Sequence, residues 1–288
     1  MIPFDDFGGS GPLLHFAHAN GYPPRTYTPL IETLIPRYHL IALRARPLWP
    51  GSSPDEIKSW WPFVDDLIQF LDERAEKNVI GVGHSLGAAT TLAAALRRPG
   101  LFRAVVLIDP VLLRPRLQFL WSLFQNLGLA RLVHPLIPGT LRRRRVFENV
   151  EAMFENYRRK SIFRRIDDRG LRTYIEALSR PRPDGQVELA YSPEWETKIY
   201  ETGPINFWQQ LPDLRPPLLI VLGRDTDTFW PGAARKIQRH LPRAVIHTVA
   251  GATHLVPMER PREVGEVIES FLEKVAASET PHRNTSVG

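Results

Sequence analysis

The stretch Asn78–Arg97 constrains the fold more than any other part of the chain. Asn78–Val82 (NVIGV) reads as a buried strand and runs directly into Gly83-His84-Ser85-Leu86-Gly87, after which Ala88–Leu96 reads as an alanine-rich helix. A strand that reverses into a helix at a single serine needs a sharp turn in a strained backbone conformation. Glycines two residues away on either side remove the side chains that would collide there. Ala88 and Ala89 are small enough to let the following helix lie close to the sheet. Five residues of G-x-S-x-G alone carry little weight, and the strand before them and the helix after them supply the specificity.

The rest of the chain fits this unit. Leu13–Ala19, Tyr38–Leu43 and Arg103–Ile108 are further short apolar runs, and Trp61–Arg74 carries Phe63, Leu67, Phe70 and Leu71 at helical spacing. Strands alternating with helices predict an α/β fold with a mainly parallel sheet. The alternation stops after Asp109-Pro110. Leu117–Leu127, Phe147–Arg159, Leu171–Leu178 and Pro193–Tyr200 read as helices, with a turn at Pro183-Asp184-Gly185. Strand signals return at Leu218–Leu222 and Ala244–Val249, and Val264–Val275 reads as a last helix. The expected organisation is a core of residues 1–110 and 213–276, a helical insertion of residues 111–212, and a disordered tail of residues 277–288.

Gly81–Gly87 (GVGHSLG) resembles the nucleophile elbow of the α/β-hydrolase superfamily, and the likeness extends over residues from about 12 to 275. The resemblance implies a serine hydrolase in which Ser85 is the nucleophile, the chain order is Ser, Asp, His, and the inserted helices form a cap over the site. A serine hydroxyl needs a base to take its proton. His254, in Gly251-Ala252-Thr253-His254 just after the last strand, is placed for that role, and the following Leu255–Pro261 resembles the family pattern. His84 is fixed beside the serine and is expected to point elsewhere, while His39, His240 and His247 read as surface residues. The acid that orients the imidazole is assigned to Asp227, a few residues after Gly223, with Asp225 and Asp109 as alternatives.

An oxyanion needs backbone N–H donors fixed in advance. The family pattern implies Leu86, directly after the serine, and Tyr22, in Asn20-Gly21-Tyr22 after the first clear strand. Two features depart from the family. Asn20 stands in the usual histidine place, and only about a dozen residues precede the first clear strand, so the edge of the sheet is expected to be shortened.

Composition narrows the chemistry further. With no cysteine, disulfides, thiolate metal sites and cysteine nucleophiles are excluded. The net charge of +6 lies wholly in residues 111–212, which hold 17 Lys/Arg against 11 Asp/Glu. No nucleic-acid motif accompanies that charge. Arg142–Arg145 circles a helix rather than making one face and reads as a solvated helix start near Glu148 and Glu151; attraction to an anionic lipid surface or a carboxylate-bearing substrate is the alternative. Leu117, Phe119, Leu120, Trp121, Phe124, Phe154, Phe163 and Trp208 give the insertion an apolar inventory from which a substrate pocket can be lined.

The N-terminus lacks a basic segment followed by an apolar one, and no apolar run approaches the ~20 residues of a membrane span, so a cytoplasmic protein without membrane insertion is expected. The expected activity is cleavage of a small carboxylic ester with an apolar acyl part, without cofactor or metal and without nucleic acid. Carbon–carbon bond hydrolysis, lactone hydrolysis and perhydrolysis on the same three residues are the alternatives, as is a ligand-binding protein with no turnover. Serine at position 85 argues against haloalkane dehalogenase and epoxide hydrolase chemistry, which in this fold use an aspartate there. The oligomeric state stays open.

Overall fold

The computed structural model describes residues 2–230 and 232–279. In chain order it runs β1 (Phe4–Gly8), β2 (Leu13–Ala17), α1 (Thr28–Leu34), β3 (His39–Leu43), α2 (Trp61–Glu73), β4 (Val79–His84), α3 (Leu86–Arg97) and β5 (Phe102–Ile108). The insertion follows: α4 (Pro115–Asn126), α5 (Ala130–Val133), α6 (Ile137–Leu141), β6 (Val146–Phe147), α7 (Val150–Arg158), α8 (Asp168–Leu178), β7 (Ser179–Pro181), β8 (Val187–Leu189) and α9 (Pro193–Thr202). The chain then returns to the core with β9 (Leu218–Gly223), α10 (Ala233–His240), β10 (Val245–Val249), α11 (Val256–Glu259) and α12 (Pro261–Glu279).

The main sheet has the order β1-β3-β2-β4-β5-β9-β10, with β1 antiparallel and every other neighbouring pair parallel. The central strands are buried on both faces, which is why they read as continuous apolar runs rather than as alternation. Successive residues nonetheless point to opposite sides. Val105 and Leu107 pack with Phe63 and Leu67 of α2 and Ala89 and Leu92 of α3. Val106 and Ile108 pack with Ile31 and Leu34 of α1 and Ile268 and Leu272 of α12. Strand β4 is the fourth of the seven, so the serine expected to react stands over the middle of the sheet.

Three elements differ from the sequence expectation. The edge of the sheet is closed by β1, whose FDDFG gives only a weak strand signal: Phe4 and Phe7 are half-buried, and its one fully buried residue is Asp5. Arg44 donates to both carboxylate oxygens of Asp5 at 2.7 and 2.9 Å, and Arg25 donates at 3.0 Å. The insertion is not purely helical: β6, β8 and β7 form a small antiparallel sheet, and the expected turn at Pro183-Asp184-Gly185 joins two of its strands. The last helix runs to Glu279, past the expected start of the tail at residue 277, and residues 280–288 lie outside the described residues.

Inside the insertion, Phe147, Phe154, Tyr157, Phe163 and Tyr174 are buried and continuous with the apolar cluster on the α2–α3 face of the sheet. Helices α7, α8 and α9 start on side-chain caps: Asn149 accepts from Ala152 N–H, Asp167 from Gly170 N–H and Ser192 from Trp195 N–H. Arg142–Arg145 lies between α6 and β6, not at a helix start. Arg143 pairs with Glu196 and Arg145 with Glu194, while Arg144 lies over the Phe147 ring and donates to Val146 O.

Candidate active site

The parallel strands all end at one edge of the sheet, where an open α/β sheet presents its ligand crevice. The loops leaving β2, β4, β5, β9 and β10 carry, in turn, Tyr22, Ser85, Asp109, Thr226 with Thr228, and His254.

Ser85 has φ 54° and ψ −112° between β4 and α3, the strained conformation expected of it. A Cβ at Gly83 would meet the carbonyl of Gly87, and one at Gly87 would meet the carbonyls of Ala17 and His18, so neither position accepts a side chain. The Leu86 N–H is the first of α3 and, like every leading helix N–H, has no acceptor within its own helix.

His84, expected to point elsewhere, ties three loops together. Its Nε2 donates to the carbonyl of His254 at 2.9 Å, and its Nδ1 accepts from the Tyr27 hydroxyl at 2.8 Å. The Tyr27 oxygen in turn accepts from Ala19 N–H at 3.2 Å. Burial, and then the neighbouring His254, lower the pKa of His84 to about 3, so this fully buried ring stays neutral and can serve as donor on one side and acceptor on the other. The ring centroids of His84 and His254 are 4.9 Å apart, which places His254 beside the residue preceding Ser85.

The carboxylate that meets His254 is Asp109. His254 Nδ1 donates to Asp109 Oδ1 at 2.9 Å, and Asp109 is fully buried. The same Oδ1 accepts from the hydroxyls of Thr226 and Thr228, each at 2.5 Å, while Oδ2 accepts from Gly223 N–H at 2.9 Å. Burial alone would push the carboxyl up. The donated hydrogen bonds from His254, Thr226 and Thr228, with the imidazole's charge, hold it below its ordinary value instead. A proton fixed on Nδ1 leaves Nε2 as the basic nitrogen.

This geometry corrects the assignment of the acid to Asp227. Asp227 is exposed, and Asp225 points outward to Arg165 at 2.6 Å. The β9 loop does reach the imidazole, but with Thr228, whose hydroxyl lies 3.0 Å from Nδ1. Thr226 and Thr228 went unread in the sequence. Their only signal was two hydroxyls flanking Asp227, alternating with carboxylates that face solvent.

The loop after β2 is more constrained than an Asn-Gly turn. The Tyr22 N–H, expected to face a substrate oxygen, donates to Ala19 O at 3.2 Å, so this donor is already engaged in the turn. Asn20 accepts from the Tyr191 hydroxyl at 2.9 Å and donates to Glu196 O at 3.1 Å, linking the loop to the insertion. Tyr174 stacks on Tyr22 and donates to Gly21 O at 3.3 Å. Glu196 is buried against Gly21, and Arg143 donates to both of its oxygens at 2.6 and 3.0 Å. Burial raises the Glu196 carboxyl, with Arg143 opposing the rise. Near this pair the Lys160 ammonium lies 3.8 Å from the Tyr157 ring centroid, and burial, then the like charge of Arg143, lower its pKa to about 8. Among the described residues no group of three His, Asp or Glu side chains is placed to hold a metal.

A family model described as the alpha/beta hydrolase family matches residues 16–267. The chain belongs to the alpha/beta hydrolase family. It is 25% identical over 274 residues to the 2-(acetamidomethylene)succinate hydrolase of Mesorhizobium japonicum, covering 92% of this chain and 89% of that one. A crystal structure of E-2-(acetamidomethylene)succinate hydrolase superposes with a TM-score of 0.77 at 24% identity, over 94% of each chain. The structure of an M. tuberculosis esterase superposes with a TM-score of 0.69 at 23% identity, over 94% of this chain and 88% of that one. At these identities the alpha/beta hydrolase relatives share the fold with this chain.

Proposed function

We propose that this alpha/beta hydrolase cleaves a small carboxylic ester through an acyl-enzyme on Ser85, with His254 as base and Asp109 as the acid that orients it. The carrying observation is the buried carboxylate of Asp109, 2.9 Å from His254 Nδ1, on a histidine held beside the strained Ser85 turn. His254 Nε2 takes the Ser85 hydroxyl proton as the oxygen attacks the carbonyl, then returns it to the leaving alcohol. Water repeats the cycle to release the acid. The charge on the carbonyl oxygen falls on Leu86 N–H, with the Tyr22 N–H shared between that oxygen and Ala19 O. No cofactor enters this cycle, and a cytoplasmic setting is part of the reading.

A fluorophosphonate probe and a p-nitrophenyl ester series, applied to wild type and Ser85→Ala, test the proposal. Wild type should gain the mass of one probe less HF, the fluoride being displaced, on the peptide holding Ser85 and release p-nitrophenol from the ester, and Ser85→Ala should do neither. Turnover that survives in Ser85→Ala overturns it.

A second reading concerns the acyl part, expected to be apolar. Arg143 is paired with the buried carboxylate of Glu196 beside the Tyr22 loop, Lys160 lies near that pair over the Tyr157 ring with no carboxylate in contact among the described residues, and one relative is named for hydrolysis of a succinate derivative. Comparing the p-nitrophenyl half-ester of succinate with the butyrate ester separates the two readings: a lower KM for the half-ester that Lys160→Gln abolishes favours an anionic acyl group.

A further inference from the structure

We propose that the α4–α6 face of the insertion docks onto an anionic lipid surface. Helix α4 is amphipathic the wrong way round for a protein in water. Its inward side is polar: Gln118 donates to Pro204 O at 2.9 Å, Gln125 to Glu201 O at 2.8 Å, and Trp121 Nε1 to Gly203 O. Its outward side is apolar, with Phe119 75% exposed and Leu117, Leu120 and Leu123 exposed beside it. The face continues through Leu127 and Leu132, the latter 78% exposed, so that nine of the eleven exposed large apolar residues among those described fall within residues 117–136. A contiguous apolar face of this kind marks a surface that meets another phase or another molecule.

Charge decides between those occupants. Residues 111–147 contain seven arginines and no aspartate or glutamate. Arg114, Arg116, Arg142 and Arg144 have no carboxylate within salt-bridge distance among the described residues. A second copy packed on this face by a two-fold axis would bring the same arginines together without a counter-charge. An anionic bilayer surface instead takes apolar side chains into its interface and gains on the order of fivefold in partitioning for each arginine at its headgroups. The face also begins at the site already described. Leu112 bridges Phe229, which follows Thr228 on the β9 loop, and Leu113 O accepts from Trp208 Nε1 at 2.9 Å. No helix of the described residues is long and apolar enough to cross a membrane, so attachment would be to one leaflet.

Co-sedimentation of the full chain with phosphatidylcholine vesicles, with and without phosphatidylglycerol, tests this without any substrate, so its outcome is separate from that of the hydrolase reading. Wild type should pellet with the anionic vesicles at least tenfold better than with the neutral ones. Phe119→Glu/Leu132→Glu should lose at least tenfold, and Arg114→Gln/Arg116→Gln should lose most of the preference for anionic lipid. Both sets of side chains are on the surface, and circular dichroism will show the variants folded. Equal sedimentation of wild type with both vesicles, or of the Phe119→Glu/Leu132→Glu variant with wild type, overturns the proposal. A concentration-dependent dimer in light scattering that the same variant dissolves, with no vesicle binding, overturns it in favour of a second copy.

Discussion

Replacing Asp109 by asparagine is the most informative single change, because the structure gives its cost in two separable parts. The carboxylate receives donors at both oxygens: three at Oδ1 and the Gly223 N–H at Oδ2. An amide of the same shape has one accepting oxygen, so its NH2 must face either the Gly223 N–H or the threonine and histidine donors. A buried donor set against a donor costs about 1–3 kcal/mol of folding stability. The second part is catalytic. In the proposed cycle His254 takes the serine proton and becomes a cation 2.9 Å from Asp109 Oδ1, and at an effective dielectric of about 20 that attraction is on the order of 5–6 kcal/mol. Losing it removes about four powers of ten in rate, the size of loss expected when a triad acid becomes an amide.

The fall should sit in kcat with KM little changed, since fully buried Asp109 offers no surface to a substrate. The assay is the steady-state hydrolysis of a p-nitrophenyl ester by Asp109→Asn, Asp225→Asn and Asp227→Asn, with urea unfolding of each. Asp225→Asn and Asp227→Asn should stay within about twofold of wild type, as solvent-facing changes do. A hundredfold loss in Asp227→Asn with near-normal turnover in Asp109→Asn would falsify the reasoning.

Two further predictions concern the folded state. Glu196→Gln leaves the guanidinium of Arg143 buried without its counter-charge beside the Tyr22 loop, which should cost about 3–5 kcal/mol in urea unfolding; double substitution Arg143→Met/Glu196→Leu should recover much of it. Asp109 is held below its ordinary value of 3.8 in the folded chain, so its contribution to stability is complete above that value and is lost as pH falls from there through the lower folded pKa. Unfolding midpoints measured from about pH 7 to pH 3 should therefore fall less steeply for Asp109→Asn than for wild type.

How much of this was legible in the sequence follows from the range of the forces involved. The Ser85 turn was readable because its constraint is local and steric: the carbonyls that forbid a side chain at Gly83 belong to Gly87, four residues on. The placement of His254 near Ser85 was readable because it follows the last strand. Its carboxylate partner was not, since Asp109, Asp225 and Asp227 all follow the carboxyl end of a parallel strand. Only backbone direction decides which one turns inward. At Asp109 that direction is a left-handed φ of 42° just before Pro110, which no residue count reveals. Strand β1 was hidden for another reason: its buried residue is a carboxylate neutralised by Arg25 and Arg44, and Phe4 and Phe7, three residues apart, do not make the period-two alternation of a strand. The outward face of α4 was not legible, because its apolar residues carry no mark of the side they occupy, and the polar glutamines that face inward reverse the usual rule.

The position of Asp109 also bears on how such a protein can be re-engineered. The residue that holds the imidazole and the residue at which the chain leaves the sheet for the insertion are neighbours, Asp109 and Pro110. Exchange of the insertion between relatives is therefore safest with the upstream junction placed after Pro110, where the scaffold keeps its own Asp109. A junction a few residues earlier would transplant Asp109 together with the insertion and separate it from Thr226, Thr228 and His254, which the recipient scaffold supplies. The β9 loop, relieved of a carboxylate, has to keep only two hydroxyls and one backbone N–H in place. Asp225 and Asp227, which face solvent on that loop, are then open to library mutagenesis.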